Sequence, residues 1–264
     1  MPPLMKKIRI FVLLAVLLGG LYGLTACGVQ ALVYPGASIP MPDAEYGHEA
    51  ERVTIAAADG VPLRGWFFNR GAGSPLVAMY GGNAMSVGSF ADIAAADTSR
   101  SYLLINYRGY GGSEGEPSEQ ALVADARHCL RYARLKLGGA PASITLVGFS
   151  LGSGVATQVA AAENPDALVL ICPFDSITNV ACNMVPLLPR LLPLDSWRSV
   201  DYAPSIRCRV SILRASHDSI VPPAGTDALI RAFRATTPAV HAFPSDHNDI
   251  FTAPGFRETL HSCM

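Results

Sequence analysis

The chain has 264 residues, of which 50% are hydrophobic and 16% are charged, and this composition predicts one sizeable α/β domain or two small ones. The formal net charge of −1 gives no indication that nucleic acid or an acidic surface is a partner. The 24 glycines and 20 prolines are scattered along the chain, which is typical of a loop-rich globular protein and argues against a disordered one.

The first part of the chain has the organisation of an export signal. Lys6, Lys7 and Arg9 form a short basic region ahead of the apolar run 10–24, and no acidic residue occurs before Asp43. A basic region followed by an apolar stretch of this length is typical of a segment that directs export and is not part of the folded domain.

The end of this segment, Leu-Thr-Ala-Cys at 24–27, resembles a bacterial lipobox, in which the signal is cut before a cysteine that becomes lipidated. The resemblance implies a signal peptide at 1–26, a lipid anchor on Cys27 and a tether at 27–43. Gly28 follows the cysteine in place of the Asp that often retains lipoproteins at the inner membrane. We therefore expect a protein of the bacterial cell envelope that faces the periplasm, on the outer membrane.

Two other interpretations of this segment stay open. The apolar character continues to Val33, interrupted only by Gln30, so an uncleaved helix that spans the membrane is one of them. The other is an ordinary export signal in which Cys27 occurs by chance. In each case we expect the folded domain at 44–264.

Short apolar runs that suit strands recur after the tether. They lie at 52–57, 62–68, 76–80, 102–106, 144–148, 168–172, 210–215 and 240–243. Helical patterns separate most of them, at 119–137, 151–163, about 226–235 and a short segment after Pro254. Strands that alternate with helices predict an α/β fold with a mainly parallel sheet and helices on both faces.

One interval, 173–209, breaks this alternation. It contains an apolar stretch that is interrupted by Pro186, Pro189 and Pro193, and these prolines exclude a long helix there. An insertion at the carboxyl end of a strand lies over the sheet edge where open α/β folds bind their ligands. We therefore expect a small lid whose apolar part, 185–194, lines the entrance to a site or packs on the sheet edge.

A serine between two glycines stands where a predicted strand ends and a helix begins. Gly148, Ser150 and Gly152 form a Gly-x-Ser-x-Gly pattern at this junction. A sharp turn there forces its central residue into a strained backbone conformation, and the glycines remove side chains that would collide. The serine oxygen is then exposed above the sheet at the positive end of the helix. The pattern therefore predicts that Ser150 is a nucleophile and not part of a plain Gly/Ser loop.

A serine hydroxyl is a weak nucleophile unless a base takes its proton and an acid orients that base. In this architecture the expected order along the chain is serine, acid, histidine. Asp218 and His247 each follow a predicted strand closely, so they are the expected acid and base. Asp175, which follows the preceding strand, is the alternative acid. Asp246 and Asp249 flank His247 and are interpreted as loop or helix-capping residues.

Two backbone N–H groups are expected to stabilise a negatively charged oxygen at this site. One belongs to Leu151, directly after the serine. The other is expected in Gly-Gly-Asn-Ala at 81–84, the loop after the strand 76–80, where Asn83 is the predicted donor.

The segment Tyr-Arg-Gly-Tyr-Gly-Gly-Ser at 107–113 is interpreted as scaffold. Its glycines suit a tight turn after a strand. Its arginine, Arg108, is expected to pair with an acid on the following helix, such as Asp125.

These segments together resemble the α/β-hydrolase superfamily, and within it the small serine-hydrolase branch that includes palmitoyl-thioesterase-like enzymes and relatives of prolyl oligopeptidase. The resemblance covers most of the chain from residue 52 onward and rests on YGGNAM, NYRGYGGSEGEPSE, VGFSLGSG, ASHDSIVP and DHNDIF. Two residues depart from the family pattern. Gly81 stands where a His usually precedes Gly-Asn, which is expected to loosen that loop. Asp246 stands where a Gly commonly precedes the catalytic histidine.

The resemblance implies a serine hydrolase that cleaves carboxylic esters or thioesters through an acyl-enzyme intermediate, with no cofactor and no metal. The expected partners are a small-molecule or acylated substrate and, through the lipid anchor, a membrane. We expect a monomer that binds no nucleic acid. Two alternatives stay open: a peptidase with the same three side chains, and a catalytically silent binding protein on this fold.

Overall fold

The structure, a computed structural model, describes residues 33–34, 50–184 and 195–264. The predicted signal peptide, Cys27 and the apolar run 185–194 lie outside these residues, and what the sequence indicates for them stays a prediction. Within the described ranges, no helix has the length and hydropathy that crossing a membrane requires.

An eight-stranded sheet forms the centre of the described chain. Its strands are β1 (Ala50–Ala56), β2 (Pro62–Phe68), β3 (Leu76–Tyr80), β4 (Ser101–Ile105), β5 (Ile144–Phe149), β6 (Ala167–Ile171), β7 (Arg209–Ala215) and β8 (Ala239–Phe243). All the predicted strands are confirmed, with ends displaced by at most two residues. The spatial order is β1-β2-β4-β3-β5-β6-β7-β8, with β2 antiparallel to both of its neighbours and all the other pairs parallel.

Helices lie in the connections between these strands. They are α1 (Ala91–Ala96), α2 (Glu119–Lys136), α3 (Leu151–Glu163), α4 (Ile177–Met184), α5 (Ser199–Tyr202), α6 (Pro223–Ala232) and α7 (Phe256–Cys263). The helices predicted at 119–137, at 151–163 and after Pro254 are confirmed. Helix α6 begins and ends three residues earlier than predicted, because Pro223 suits a first helical position and Phe233 is extended.

The sheet separates two layers of apolar packing. On one face, α2 and α3 place Leu122 and Val155 against the strands, and both side chains are fully buried. On the other face, α1 and α7 do the same with Ala91 and Phe256. Helices therefore cover both faces of a mainly parallel sheet, and the predicted α/β architecture is confirmed. This arrangement brings the carboxyl ends of β5 to β8 to one edge of the sheet.

The two described residues of the predicted tether, Val33 and Tyr34, belong to the packed structure. Tyr34 is only 4% exposed, and it donates a hydrogen bond of 2.6 Å to Oδ2 of Asp195 and accepts one of 2.8 Å from Nε1 of Trp197. Asp195 and Trp197 stand directly after the undescribed part of the insertion. The N-terminal segment is therefore attached to the base of the predicted lid.

The predicted pairing of Arg108 with Asp125 is confirmed. Nε and Nη2 of the guanidinium each lie 2.7 Å from one oxygen of the Asp125 carboxylate, and Asp59 contacts the same guanidinium at 3.0 Å. This two-point contact fixes the loop after β4 to helix α2. Both carboxylates hold the pKa of Arg108 above its usual range.

Candidate active site

Ser150 lies at the turn between β5 and α3 and has a positive backbone φ of +50°. This conformation is strained in a residue with a side chain, so the surrounding structure must impose it. A Cβ on Gly148 would lie 2.2 Å from the carbonyl oxygen of Gly152, and a Cβ on Gly152 would lie 2.1 Å from that of Tyr80. A side chain at either glycine would displace backbone, and the structure thus has the strand-to-helix turn that the sequence predicts.

Neighbouring elements hold the backbone of Ser150. Its N–H donates a 3.0 Å hydrogen bond to the carbonyl oxygen of Ile171 at the end of β6, and its own carbonyl accepts one of 2.8 Å from Ser153. Leu151 is the first residue of α3, and the first N–H groups of a helix have no partner inside it. The N-terminus of α3 therefore presents an N–H donor and a partial positive charge beside the serine.

The structure brings Asp218 and His247 together. Asp218 follows β7 and His247 follows β8, and Nδ1 of the imidazole lies 2.8 Å from Oδ2 and 3.0 Å from Oδ1 of the carboxylate. Their side chains are only 6% and 4% exposed. A carboxylate can only accept, so we assign Nδ1 as the donor, which leaves Nε2 able to take a proton.

The Asp218 carboxylate is also fixed by its own loop. Its Oδ1 accepts hydrogen bonds from the backbone N–H groups of Ile220 at 3.0 Å and Val221 at 2.7 Å. These contacts turn the other oxygen toward the imidazole. The carboxylate is thus held in place by its own loop while it contacts the imidazole.

Asp175, the alternative acid, is engaged elsewhere. Its carboxylate accepts hydrogen bonds from the N–H of Ser176 at 2.8 Å and from the side-chain amide of Asn179 on helix α4. It also lies against Gly225 at the start of α6, where an added Cβ would come within 2.9 Å of Oδ1. Of the two candidate acids, Asp218 is therefore the one that contacts the imidazole.

The two loops that carry Asp218 and His247 are joined by backbone hydrogen bonds. We call residues 216–221 the acid loop and residues 244–249 the histidine loop. The N–H of Ser216 donates to the carbonyl of Phe243 at 2.8 Å, and the N–H of His217 donates to that of Ser245 at 3.0 Å. The parallel pairing of β7 and β8 thus continues past the ends of the strands into the site.

Asp246 is a residue whose contacts the sequence analysis missed. Its Oδ1 accepts hydrogen bonds from the N–H of Ser219 at 2.8 Å and from the N–H of His247 at 2.6 Å, and the Ser219 hydroxyl lies 2.9 Å from both oxygens. The N–H donors of Ser219 and His247 hold the pKa of this carboxyl below its usual value. Asp246 is thus a loop residue that bridges two loops, and no helix begins at it. The sequence marked this position only because Asp246 stands where the family commonly has a Gly.

A buried thiol lies behind the acid–histidine pair. Sγ of Cys172 is 4.0 Å from the backbone oxygen of His247, and burial raises the pKa of this thiol well above its usual value. Among the described residues, ligand atoms of Cys172, Asp218 and His247 lie within 4.8 Å of one another, which is close enough for these side chains to hold a metal ion. Two of these ligand groups, Nδ1 of His247 and the Asp218 carboxylate, are hydrogen-bonded to each other.

The loop after β3, where a second N–H donor is predicted, lies close to Ser150. A Cβ on Gly82 would stand 3.6 Å from Cβ of Ser150. The Tyr107 hydroxyl donates to the Gly81 carbonyl oxygen at 2.9 Å, and the Tyr110 hydroxyl donates to Oδ1 of Asn83 at 2.9 Å. Two tyrosines of the predicted scaffold segment therefore hold a loop that the sequence analysis expected to be loosened.

His247 lies over the residue that precedes the serine. The rings of Phe149 and His247 have their centroids 5.1 Å apart and are tilted by 38°. Among the described residues, the hydrogen bonds of the imidazole go to Asp218, and none joins it to the Ser150 hydroxyl. In the absence of substrate, hydrogen bonds between catalytic groups are often long, and they tighten in the substrate complex.

The fold and the position of these residues define an α/β hydrolase, and the comparisons with known proteins agree. The model of the alpha/beta hydrolase fold family matches residues 75–198. An uncharacterized protein of Mycobacterium tuberculosis is 36% identical over 226 residues, which cover 83% of this chain and 80% of that protein. The chain belongs to the α/β-hydrolase superfamily.

Two further similarities involve proteins with named activities. A lysophosphatidylserine lipase of Danio rerio is 33% identical over 136 residues, 44% of this chain and 35% of that protein. The structure of an esterase from Pyrococcus furiosus has a TM-score of 0.71 and 16% identity, and the match covers 86% of this chain and 95% of that one. At 16% identity, the match to the esterase structure shows that the two proteins share a fold.

Proposed function

We propose that this protein is a serine hydrolase that cleaves carboxylic esters or thioesters. In this proposal Ser150 is the nucleophile, His247 is the general base and Asp218 orients and stabilises the imidazole. One observation carries it: a serine with φ of +50° at a strand-to-helix turn accompanies a buried Asp–His pair at neighbouring strand ends. A nucleophile and a base that is held in place by an acid are what acyl transfer needs.

The proposed reaction has two halves. Nε2 of His247 takes the proton of Ser150 as Oγ bonds to the carbonyl carbon, and the electrons of the C=O bond move to its oxygen. When the carbonyl re-forms, the bond to the alkoxide or thiolate breaks and the imidazolium gives that group its proton. Water then attacks the acyl-enzyme in the same way, releases the acid and restores the serine.

The negative oxygen of each tetrahedral intermediate is assigned to two backbone donors. The N–H of Leu151 is the first, since it opens helix α3 beside the serine. The N–H of Asn83 is the second, and the Tyr110 contact at the Asn83 side chain supports a fixed position for this residue.

We also propose that Cys27 carries a lipid anchor, in a bacterial envelope protein that faces the periplasm. The support is the basic, apolar, Leu-Thr-Ala-Cys order of the sequence. Several acyl chains on one cysteine anchor a protein stably, whereas one chain binds marginally. Mass spectrometry of the native protein should find an N-terminal lipidated Cys27, and a Cys27→Ser variant should lack the modification. An unmodified, uncut N-terminus would replace the lipoprotein with a membrane-spanning anchor.

The catalytic proposal is tested by turnover of a panel of substrates. The panel holds nitrophenyl esters and thioesters from acetyl to palmitoyl, a lysophospholipid and a peptide anilide. We expect turnover of esters or thioesters by the wild type and loss of about four to six orders of magnitude in kcat for Ser150→Ala. Cleavage of the anilide alone would establish the peptidase instead, and no turnover in a folded wild type would favour the silent binding protein.

A further inference from the structure

We propose that Asp246 is a positioning residue that holds His247 in register with Asp218 by binding the acid loop to the histidine loop. The inference rests on the proposed function, because it assigns His247 a task that needs accurate placement. It adds a side chain to the site that touches neither the serine nor a substrate.

The Asp246 carboxylate lies between the backbone of the acid loop and that of the histidine loop. Ser219 and His247 are the residues directly after Asp218 and Asp246, and Oδ1 of Asp246 accepts an N–H from each of them. One oxygen atom thus joins the residue next to the acid and the base itself. A shift of either loop would lengthen one of these two hydrogen bonds.

The main-chain hydrogen bonds between the two loops end before the site. The backbone bonds from Ser216 to Phe243 at the end of β8 and from His217 to Ser245 in the histidine loop are the last main-chain links on the side of the strands. Beyond them, the acid loop turns away so that the N–H groups of Ile220 and Val221 can bind Asp218. Asp246 therefore supplies the cross-link where the backbone pairing no longer does.

A carboxylate suits this position because it can accept several hydrogen bonds. Three donors converge on this side chain, two N–H groups and the Ser219 hydroxyl, and a carboxylate accepts several hydrogen bonds at once. An Asn side chain keeps one carbonyl oxygen for the two N–H groups, whereas Ala and Gly keep none. Asp246 is half-buried and outside the apolar layers, so its truncation leaves the core intact.

The test compares Asp246→Ala with Asp246→Asn. Because a displacement of about 1 Å can cost about 100-fold in rate, we expect Asp246→Ala to lower kcat by about 10- to 100-fold. KM should change little, and Asp246→Asn should restore most of kcat because it retains the acceptor. Asp249→Ala, which removes the same charge from an exposed position three residues further on, should match the wild type.

Two measurements need no activity and separate this proposal from the proposed function. In Asp246→Ala, the amide protons of Ser219 and His247 should exchange with solvent faster, while those of β7 and β8 keep wild-type rates. The low-field proton resonance of the imidazole N–H bonded to Asp218 should broaden or disappear in the same variant. Both changes should revert in Asp246→Asn.

Several outcomes would overturn the assignment. Unchanged amide exchange and an unchanged imidazole resonance in Asp246→Ala would show that the carboxylate does not hold the loops. Equal losses of kcat in the Ala and Asn variants would assign the effect to charge. An inactive wild type would remove the proposed function, and the exchange and resonance data would still decide whether Asp246 joins the loops.

Discussion

At the scale of single residues, the site depends on positions where an added methyl group would meet backbone. A Cβ on Gly148 or Gly152 would lie only 2.2 Å or 2.1 Å from the nearest backbone oxygen. No other residue therefore fits at either position without movement of β5, β3 or α3. Gly81 differs, since a Cβ there would meet its nearest neighbour at 3.4 Å, an ordinary contact. The space at this position accommodates a Cβ, so crowding at the Cβ does not require glycine there.

The assignment of the acid gives a prediction for two matched variants. Asp218→Asn should lower kcat by about 10⁴-fold, because an amide in place of the carboxylate favours the wrong imidazole tautomer. Asp175→Asn should keep kcat near the wild-type value, since Asp175 bonds to Ser176 and Asn179. Steady-state kinetics on one ester substrate measure both. A reversal, with Asp175→Asn inactive and Asp218→Asn active, would move the acid to the end of β6.

At the scale of elements, the sequence predicted the strands because their signal is local. Runs such as Leu76–Tyr80 are apolar at every position, and strands buried on both faces have this composition. Helix α1 has only six residues, and its buried Ala91 and Ala94 pack beside Phe90 in a layer that the sequence alone does not show. Isolated helices of this length are unstable, so tertiary packing determines where α1 forms.

The difference between local sequence signals and tertiary contacts also explains which parts of the site could be predicted. Ser150, Asp218 and His247 each follow a strand closely, and strand ends could be read from the sequence. The contact of Asp246 with Ser219 joins positions 27 residues apart and depends on how two loops leave the sheet. No local sequence pattern predicts a contact between residues so far apart in the chain. The unusual residue before His247 nevertheless marked the position.

The Arg108–Asp125 contact, which joins the loop after β4 to helix α2, gives a prediction about the free energy of unfolding. Asp125→Ala would leave a guanidinium that is 11% exposed with only the exposed Asp59 as a partner. We expect a loss of about 3 kcal/mol in the free energy of unfolding, because a largely buried charge that loses its buried partner is costly. Asp201→Ala removes an exposed pair with Arg198 and should cost less than about 1 kcal/mol. Urea unfolding measures both, and equal costs would contradict this account of the loop after β4.

At the scale of the whole molecule, Tyr34 attaches the N-terminal segment to the folded domain. A variant that begins at residue 33 keeps this side chain, whereas one that begins at residue 36 loses it. Removal of a buried aromatic side chain typically costs about 3 kcal/mol, so the shorter variant should unfold at lower urea concentration. Tyr34→Phe should cost about 1 kcal/mol, because it removes the hydrogen bonds to Asp195 and Trp197 and keeps the ring.

Equal stability of the two truncated variants would show that residues 33–34 contribute no free energy to folding. A domain boundary at 44 would then suffice. If the shorter variant is less stable, as expected, the folded unit includes residues of the predicted tether. This result would also fix the distance between Cys27 and the domain at seven residues, a reach of at most about 25 Å.

Covalent labelling with a fluorophosphonate shows directly whether Ser150 is a nucleophile that His247 and Asp218 activate. We expect one adduct per chain, located on Ser150 by peptide mass spectrometry. Ser150→Ala should show no adduct, and His247→Ala should label at least about 10³-fold more slowly because the hydroxyl lacks its base. A folded wild type that stays unlabelled, or an adduct on another residue that persists in Ser150→Ala, would contradict the account.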